Sequence, residues 1–136
     1  MNKVLLILLT ISLVGSVPTV AADAPVRPAQ IKMKRVGVEE FDKLRAQKDT
    51  VVLDVRTEKE FKAGHIPGAV NIDVNAKDFA AQVGKLGTNK VFLVHCAAGV
   101  RSRRACQNLD AAGFTNLFDL APGFKGWEQA GKPVEK

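Results

Sequence analysis

Cys96 is the residue in this chain with the clearest capacity for covalent chemistry. It follows the apolar run Val91–Val94 and begins the segment Cys96-Ala97-Ala98-Gly99-Val100-Arg101-Ser102. A short loop of small residues with a glycine can curl so that several backbone N–H groups point to one centre and bind an anion. The first turn of a following helix adds unpaired N–H groups and a positive end. These features would lower the pKa of the thiol, so the pattern predicts a nucleophilic cysteine, with Arg101 as a permanent charge nearby.

The alternative for each cysteine is a packing role, because a free cysteine is usually a small buried apolar residue. For Cys96, the position between an apolar strand and a glycine-containing loop favours the nucleophile. For Cys106, which lies beside Ala105 in a predicted helix, the position favours packing against a sheet. A disulfide between the two would need Cα atoms within about 7 Å. Nine residues separate the two cysteines, unlike the C-x-x-C spacing of thioredoxin-like sites, and a redox role remains an open alternative.

Three further polar residues, Asp54, Arg56 and His65, form a candidate supporting network. Asp54 ends a run that is otherwise apolar, and a buried carboxylate must find partners, which Arg56 or His65 could supply. His95 precedes Cys96, but consecutive strand residues point to opposite faces, so we expect a supporting or structural role for it. Two cysteines and two histidines at these spacings are too few for a zinc tetrad, so we expect no metal site.

The elements that must position these residues alternate strictly between strand and helix. Such alternation predicts an α/β fold with a parallel sheet and helices on both faces. Thr57 and Glu60 predict a capping box, Gly64 predicts the end of that helix, Asn75 predicts a cap for the next one, and we expect Trp127 to close the core. The predicted strands cover 31–36, 51–55, 69–72, 91–94 and 117–119, with 31–36 at an edge, and the predicted helices cover 38–47, 58–63, 76–83, 102–112 and 124–130.

The first 22 residues have the layout of a secretory signal peptide. Lys3 precedes the apolar stretch Val4–Val14, and small residues follow up to Ala22. An uncleaved membrane anchor is the alternative, but the stretch is shorter than the roughly 18 apolar residues that a spanning helix needs. We therefore expect a cleaved signal peptide at 1–22, a flexible segment at 23–30 and one domain at 31–136. The mature protein would be periplasmic or secreted, without stable membrane association, in a compartment that permits disulfides.

The charge pattern bears on possible partners. The chain of 136 residues has a formal net charge of +6, but lysine and arginine are interleaved with aspartate and glutamate, without a run of like charges. This pattern is typical of a solvated surface with a weak attraction for small anions. We therefore expect no nucleic-acid partner.

Three segments together resemble the signatures of rhodanese domains. They are Asp54–Phe61 (DVRTEKEF), Gly64–Ile72 (GHIPGAVNI) and Cys96–Ser102 (CAAGVRS), and the resemblance covers Val36 to Gly131. It implies a three-layer α/β fold with a central parallel sheet of about five strands and helices on both faces. With its export signal, the chain is similar to the small single-domain periplasmic rhodaneses.

The resemblance implies sulfur transfer by double displacement. A cysteine thiolate takes sulfane sulfur from a donor such as thiosulfate, becomes a persulfide, and passes the sulfur to cyanide or another thiophilic acceptor, possible acceptors including a protein thiol. By motif, Cys96 is the nucleophile, the persulfide-binding loop comprises Ala97, Ala98, Gly99, Val100, Arg101 and Ser102, and Asp54, Arg56 and His65 fix the loops. We expect no cofactor and a monomer.

Other functions remain open beside this resemblance. Phosphatases of the cell-division-cycle type and arsenate reductases share the fold, but their loops have five residues between cysteine and arginine. This chain has four, Ala97 to Val100, which suits a single sulfur atom better than a phosphate. A non-enzymatic binding or regulatory module and a thiol redox protein are further alternatives. Ala121-Pro122-Gly123 stands where many relatives carry a glycine pair, so we expect a different rim around the pocket.

Overall fold

The computed structural model describes residues 33–136. The predicted signal peptide and flexible segment, residues 1–22 and 23–30, lie outside the described residues and stay predictions. Within 33–136, no helix has both the length and the apolar character needed to cross a membrane. The elements in chain order are β1 (Met33–Val36), α1 (Val38–Arg45), β2 (Thr50–Asp54), α2 (Glu58–Ala63), β3 (Val70–Asn71), α3 (Phe79–Gly84), β4 (Val91–His95), α4 (Val100–Ala111), β5 (Leu117–Leu120) and α5 (Gly123–Gln129).

The five strands form one parallel sheet in the order β1-β5-β4-β2-β3. This arrangement confirms the predicted α/β fold, and β1 lies at an edge as its alternating pattern predicts. The apolar strand β4 occupies the centre, where Phe92, Leu93 and Val94 are fully buried. Because β4 ends at the same edge as its neighbours β2 and β5, the residues that follow these three strands meet there.

Two apolar clusters cover the two faces of the sheet, as the alternation of strand and helix predicts. On one face, β2, β4 and β5 pack against side chains of α3 and α4, among them Phe79, Val83, Ala105 and Leu109. On the other face, the sheet packs against α1 and α5 through Phe41, Phe124 and Trp127. Trp127 is fully buried, as predicted, and its indole N–H donates to the carbonyl oxygen of Pro133 over 2.7 Å.

The capping box that opens α2 is confirmed. The backbone N–H of Glu60 donates to Thr57 Oγ1 over 3.3 Å, and the backbone N–H of Thr57 donates to Glu60 Oε2 over 3.0 Å. Gly64 ends this helix, as predicted. The two reciprocal bonds satisfy N–H groups that a six-residue helix would otherwise leave unpaired.

Two predicted helix starts are wrong. Asn75 does not cap α3, because its own N–H donates to Asp73 Oδ1 in a turn, and the helix begins at Phe79 after Asp78. Helix α4 begins at Val100, two residues before the predicted Ser102. It begins there because Gly99 adopts a left-handed conformation, with φ of 86°, and turns the chain sharply into the helix. The connection between β4 and α4 is therefore shorter than predicted. The last three residues of the predicted persulfide-binding loop, Val100, Arg101 and Ser102, lie in the first turn of α4.

Candidate active site

Cys96 lies directly after β4, at the carboxyl edge of the sheet, and only 1% of its surface is exposed. The backbone N–H of Gly99 donates to its sulfur over 3.1 Å. The Ser102 hydroxyl oxygen, in the first turn of α4, lies 3.5 Å from the same sulfur atom. The loop and the helix start thus surround the sulfur with polar hydrogens, as the sequence pattern predicts.

These contacts favour the thiolate form of Cys96. Burial acts to raise the pKa of the thiol, but hydrogen bonds from the side chain and backbone of Ser102 and from the backbone N–H groups of Ala98 and Gly99 outweigh it. The net result is a pKa below the ordinary value for cysteine. Backbone donors fixed in this way can stabilise negative charge on the sulfur without a separate base.

The loop keeps its shape because two glycines allow a close approach between the loop and the segment that leads from β5 into α5. A side chain at Gly99 would collide with the carbonyl oxygen of Ala121, and a Cβ atom at Gly123 would lie 2.5 Å from the carbonyl oxygen of Ala97. In the first turn of α5, the N–H of Phe124 donates to the Cys96 carbonyl over 2.8 Å, and the N–H of Lys125 donates to the Ala97 carbonyl over 3.0 Å.

These bonds hold the carbonyl groups of the loop toward α5, which leaves its N–H groups free to point at the sulfur. Ala121-Pro122-Gly123 was predicted only to shape the rim of the pocket, and the contact of Gly123 and the start of α5 with the loop was not predicted. The signal in the sequence that could have shown this contact was Gly123 itself, in the segment Ala121-Pro122-Gly123.

Arg101 is held by a two-point ion pair with Glu60 of α2. Both Arg101–Glu60 contacts, Nη1 to Oε2 and Nη2 to Oε1, measure 2.8 Å. The hydrogen bond from Arg101 lowers the pKa of Glu60 to about 2 against a smaller opposing effect of burial, and the pKa of Arg101 is raised in return. The guanidinium therefore ties the start of α4 to α2. Sequence reasoning identified Glu60 only as a capping residue and missed this second contact.

In the predicted supporting network, Arg56 contacts Asp54 and His65 does not. Arg56 Nη2 lies 2.7 Å from Asp54 Oδ2 and donates to the carbonyl oxygen of Gly64 over 2.7 Å. Its guanidinium also stacks over Phe124, 4.3 Å from the ring centroid. This buried cation thus joins the end of β2 to α5 and to the residue that ends α2.

His65 lies elsewhere, at the end of α2. Its ring stacks on Phe61 with centroids 3.8 Å apart, and its Nδ1 atom lies 2.9 Å from the Phe61 carbonyl oxygen. Its Nε2 atom is 3.6 Å from a carboxylate oxygen of Glu135. His65 was predicted as a partner of Asp54 because a buried carboxylate needs a donor and because both residues lie in motifs of the family resemblance. The histidine that lies near Asp54 is His95, whose Nε2 atom is 3.6 Å from Asp54 Oδ2.

His95 is fully buried on the sheet face opposite to Cys96, among Phe41 and Phe124. Burial lowers its pKa to about 4, although the nearby Asp54 carboxylate acts in the opposite direction. The imidazole is therefore neutral near pH 7. This position fits the predicted supporting or structural role.

Cys106 packs in the core, as predicted. It is fully buried between α4 and the sheet, and it is a free thiol, as is Cys96. Burial raises the pKa of the Cys106 thiol well above its ordinary value, and the nearby Asp119 carboxylate raises it further. The two cysteines thus differ in the direction of their pKa shifts, and only Cys96 has the character of a nucleophile.

A pocket of about 300 Å³ opens beside the Cys96 loop. Its size suits a small ion or the end of an extended molecule. It combines apolar walls with four charged side chains, and it is lined by Arg56, Glu60, Ala63, Gly64, Ala97, Phe124, Lys125 and Glu128.

The family model of the rhodanese-like domain matches residues 37–130. The chain is 30% identical over 97 residues to the thiosulfate sulfurtransferase GlpE of Shewanella oneidensis, which covers 71% of this chain and 94% of that protein. It is also 33% identical over 93 residues to the tRNA uridine(34) hydroxylase of Pelagibacter ubique, but that match covers 68% of this chain and only 31% of the hydroxylase.

Among solved structures, the fold is similar to that of a rhodanese-related protein from Thermoplasma volcanium. The TM-score is 0.65 at 26% sequence identity, and the match covers 75% of this chain and 97% of the other. The similarity to that protein therefore extends over nearly its whole length.

Proposed function

Because this chain belongs to the rhodanese-like domain family, we propose that it is a sulfurtransferase that carries sulfane sulfur as a persulfide on Cys96. The observation that carries the proposal is the buried Cys96 sulfur, which accepts a hydrogen bond from the N–H of Gly99 and has a lowered pKa. A thiolate stabilised by backbone donors is an activated nucleophile.

The proposed reaction has two displacements. In the first, the Cys96 thiolate attacks the outer sulfur of thiosulfate, the S–S bond of the donor breaks, and sulfite leaves with the bonding electron pair. The enzyme then holds a persulfide anion on Cys96. In the second, cyanide or a thiolate attacks the terminal sulfur, the persulfide bond breaks, and the Cys96 thiolate is released with that electron pair. Both steps keep one negative charge at the site, which its N–H groups can stabilise throughout.

The dimensions of the site also support sulfur transfer over phosphate chemistry. Only the four residues Ala97 to Val100 separate Cys96 from Arg101, and the Arg101 guanidinium is paired with Glu60. Phosphatase loops of the cell-division-cycle type have five residues between cysteine and arginine, because the ring that they form must be wide enough for a tetrahedral phosphate. The pocket beside the loop is of a size that suits small donors and acceptors.

Intact-mass measurement tests the proposal directly. Reduced protein incubated with thiosulfate should gain the mass of one sulfur atom, and added cyanide should remove it. Cys106→Ala is the matched control and should keep the gain, whereas Cys96→Ser should lose it. If the mass of the wild-type protein does not change while Cys96 can still be alkylated, the proposed sulfur transfer is wrong.

A further inference from the structure

The pocket beside the Cys96 loop contains charged groups that the two displacements described above do not use. Its volume of about 300 Å³ is at the lower end of the range for small-molecule sites. Ala97, the residue after Cys96, lines the pocket on the side of the loop, and Lys125 of α5 lines it as well. The backbone N–H of Lys125 donates to the Ala97 carbonyl over 3.0 Å, so this part of α5 is fixed against the loop.

Two of the four charged side chains in the pocket have partners of opposite charge. Arg56 Nη2 lies 2.7 Å from Asp54 Oδ2, and Glu60 binds Arg101 through two contacts of 2.8 Å. These pairs neutralise one another, so the unbalanced charges of the pocket belong to the other two side chains.

Those two side chains, Lys125 and Glu128, leave one charge of each sign on the same wall. They lie three residues apart on α5, which places them on one face of the helix. Both are exposed, and neither side chain forms an ion pair or a hydrogen bond within residues 33–136. Lys125 attracts a dianion such as thiosulfate, but Glu128 repels it. A molecule with one positive and one negative group is attracted by both.

Arg56 adds unused hydrogen-bond donors to this pocket. Its Nε and Nη2 atoms contact Asp54 and the Gly64 carbonyl, but Nη1 donates to no acceptor within residues 33–136. The side chain is only 5% exposed, yet Nη1 is not among the polar atoms that the protein encloses without a partner. This end of the guanidinium therefore meets solvent. Because Arg56 lines the pocket, its free N–H groups suit a carboxylate bound there.

We propose that this pocket binds the sulfur acceptor, and that the acceptor is a small thiol with an amino-acid end, of which cysteine is the simplest. The carboxylate of the acceptor contacts Lys125 and the free N–H groups of Arg56, and its ammonium group contacts Glu128. This inference rests on the sulfur transfer proposed above and names the class of its second substrate.

The reaction in this pocket is the second displacement. The thiolate of the acceptor attacks the terminal sulfur of the persulfide, the bond to Cys96 Sγ breaks, and Cys96 leaves as a thiolate with the bonding electron pair. The acceptor departs as a persulfide. Because an S–S bond is about 2 Å long, the sulfur that is attacked extends beyond the buried Sγ atom.

Four thiols that differ only in their charged groups test the proposal. Protein loaded with sulfur from thiosulfate is freed of the donor, and the loss of the added mass is followed with each thiol at low ionic strength. Cysteine carries both groups, mercaptopropionate only the carboxylate, cysteamine only the ammonium group, and mercaptoethanol neither. For each thiol, the ratio of the variant rate to the wild-type rate removes the difference in intrinsic reactivity.

We expect each substitution in α5 to affect only the thiols that carry the matching charge. Lys125→Gln should slow discharge to cysteine and mercaptopropionate about fourfold, as expected for the loss of an exposed charge pair. Glu128→Gln should slow discharge to cysteine and cysteamine about threefold. Discharge to mercaptoethanol and to cyanide should stay within about 1.5-fold of the wild type in both variants, because neither acceptor carries a group that these side chains bind.

Lys85→Gln is the matched control, because it removes the same charge from an exposed lysine that does not line the pocket. It should leave all of these rates unchanged. Equal rate ratios for all four thiols in either pocket variant would overturn the proposal. So would a loss of thiosulfate uptake in Lys125→Gln as large as the loss of discharge to cysteine, since the pocket would then bind the donor.

The same assay separates this inference from the proposed function. If the wild type takes up no sulfur, both proposals are wrong. If it takes up sulfur and discharges it to cyanide, but the variants do not distinguish the charged thiols, sulfur transfer stands and only the assignment of the pocket is wrong.

Discussion

At the scale of single residues, Gly99 decides whether the loop around Cys96 can close. Its φ of 86° is a conformation that costs residues with a side chain about 1–2 kcal/mol. In addition, its missing side chain leaves room for the carbonyl oxygen of Ala121. The same residue donates its N–H to Cys96 Sγ. Conformation, close packing and the stabilisation of the sulfur therefore all depend on one position.

We predict that Gly99→Ala slows persulfide formation by about 100-fold, because a collision with Ala121 displaces the donor N–H from the sulfur. Gly113→Ala is the matched control. Gly113 also has a positive φ, of 94°, but no atom lies within 4 Å of the position of an added Cβ. This control should lose stability while sulfur uptake stays near that of the wild type. Rates of mass gain with thiosulfate and urea unfolding of both variants provide the measurements. Equal activity of the two variants would contradict the assigned role of Gly99.

At the scale of elements, the short helix α2 links the capping of its own first turn to the active-site loop. Glu60 accepts the N–H of Thr57 through one carboxylate oxygen, and both of its oxygens contact Arg101 at the start of α4. The capping bonds are local, whereas the Arg101 pair spans two helices. The two contributions can therefore be separated by substitution.

We predict that Thr57→Ala lowers the free energy of unfolding by about 1 kcal/mol, the usual cost of a lost N-terminal cap. Glu60→Gln should keep the capping box, because glutamine also fits the third helical position, but it removes the charge that holds Arg101. Sulfur uptake should fall about tenfold in Glu60→Gln, a loss of about 1.4 kcal/mol of transition-state stabilisation, and should change little in Thr57→Ala.

Urea unfolding and the rate of mass gain with thiosulfate, measured on both variants, check this separation. A large loss of sulfur uptake in Thr57→Ala at unchanged stability would show that the two roles of Glu60 cannot be separated.

At the scale of the whole molecule, side chains alternate along the central strand β4, so its last residue, His95, and the next residue, Cys96, lie on opposite faces of the sheet. Cys96 belongs to the cluster that includes α4, and His95 lies on the face of α1 and α5. The nucleophile faces its loop and the start of α4, whereas the imidazole is enclosed by aromatic rings. Because His95 is buried on this second face, its imidazole stays neutral in the folded protein, and we expect the protein to be sensitive to acid.

We predict that the protein loses stability as the pH falls from about 6.5 to about 4. The folded pKa of His95 is about 4, below its ordinary value of 6.5, so the unfolded chain binds more protons than the folded one in this window. This contribution to stability is complete above about pH 6.5, and it falls by on the order of 3 kcal/mol as the pH approaches 4.

Urea unfolding of the wild type and His95→Gln at pH 7 and pH 4.5 measures this effect. The variant should show a smaller difference between the two pH values. The pair of Glu60 and Arg101 titrates mainly below this window, because the pKa of Glu60 is about 2. An equal pH dependence in the two proteins would show that His95 is not the source of the acid sensitivity.

Features that depend on neighbours along the chain could be predicted from the residues alone. Apolar runs and helical spacing predicted the ten elements, and Thr57 with Glu60 predicted the start of α2. The small residues after Cys96 predicted its loop and its lowered pKa. In each case, the interacting groups lie within a few residues of one another, so local patterns are sufficient to predict them.

Which distant residues meet at the site depends on how the whole chain packs. The tertiary structure paired Asp54 with Arg56 and brought His95 rather than His65 near that carboxylate. It placed Gly123 of α5 against the loop and paired Asp119 of β5 with Arg35 of β1. These contacts depend on the order and register of the strands. Strand order is set by how all the apolar faces pack together, and the pattern of any one segment does not contain that information.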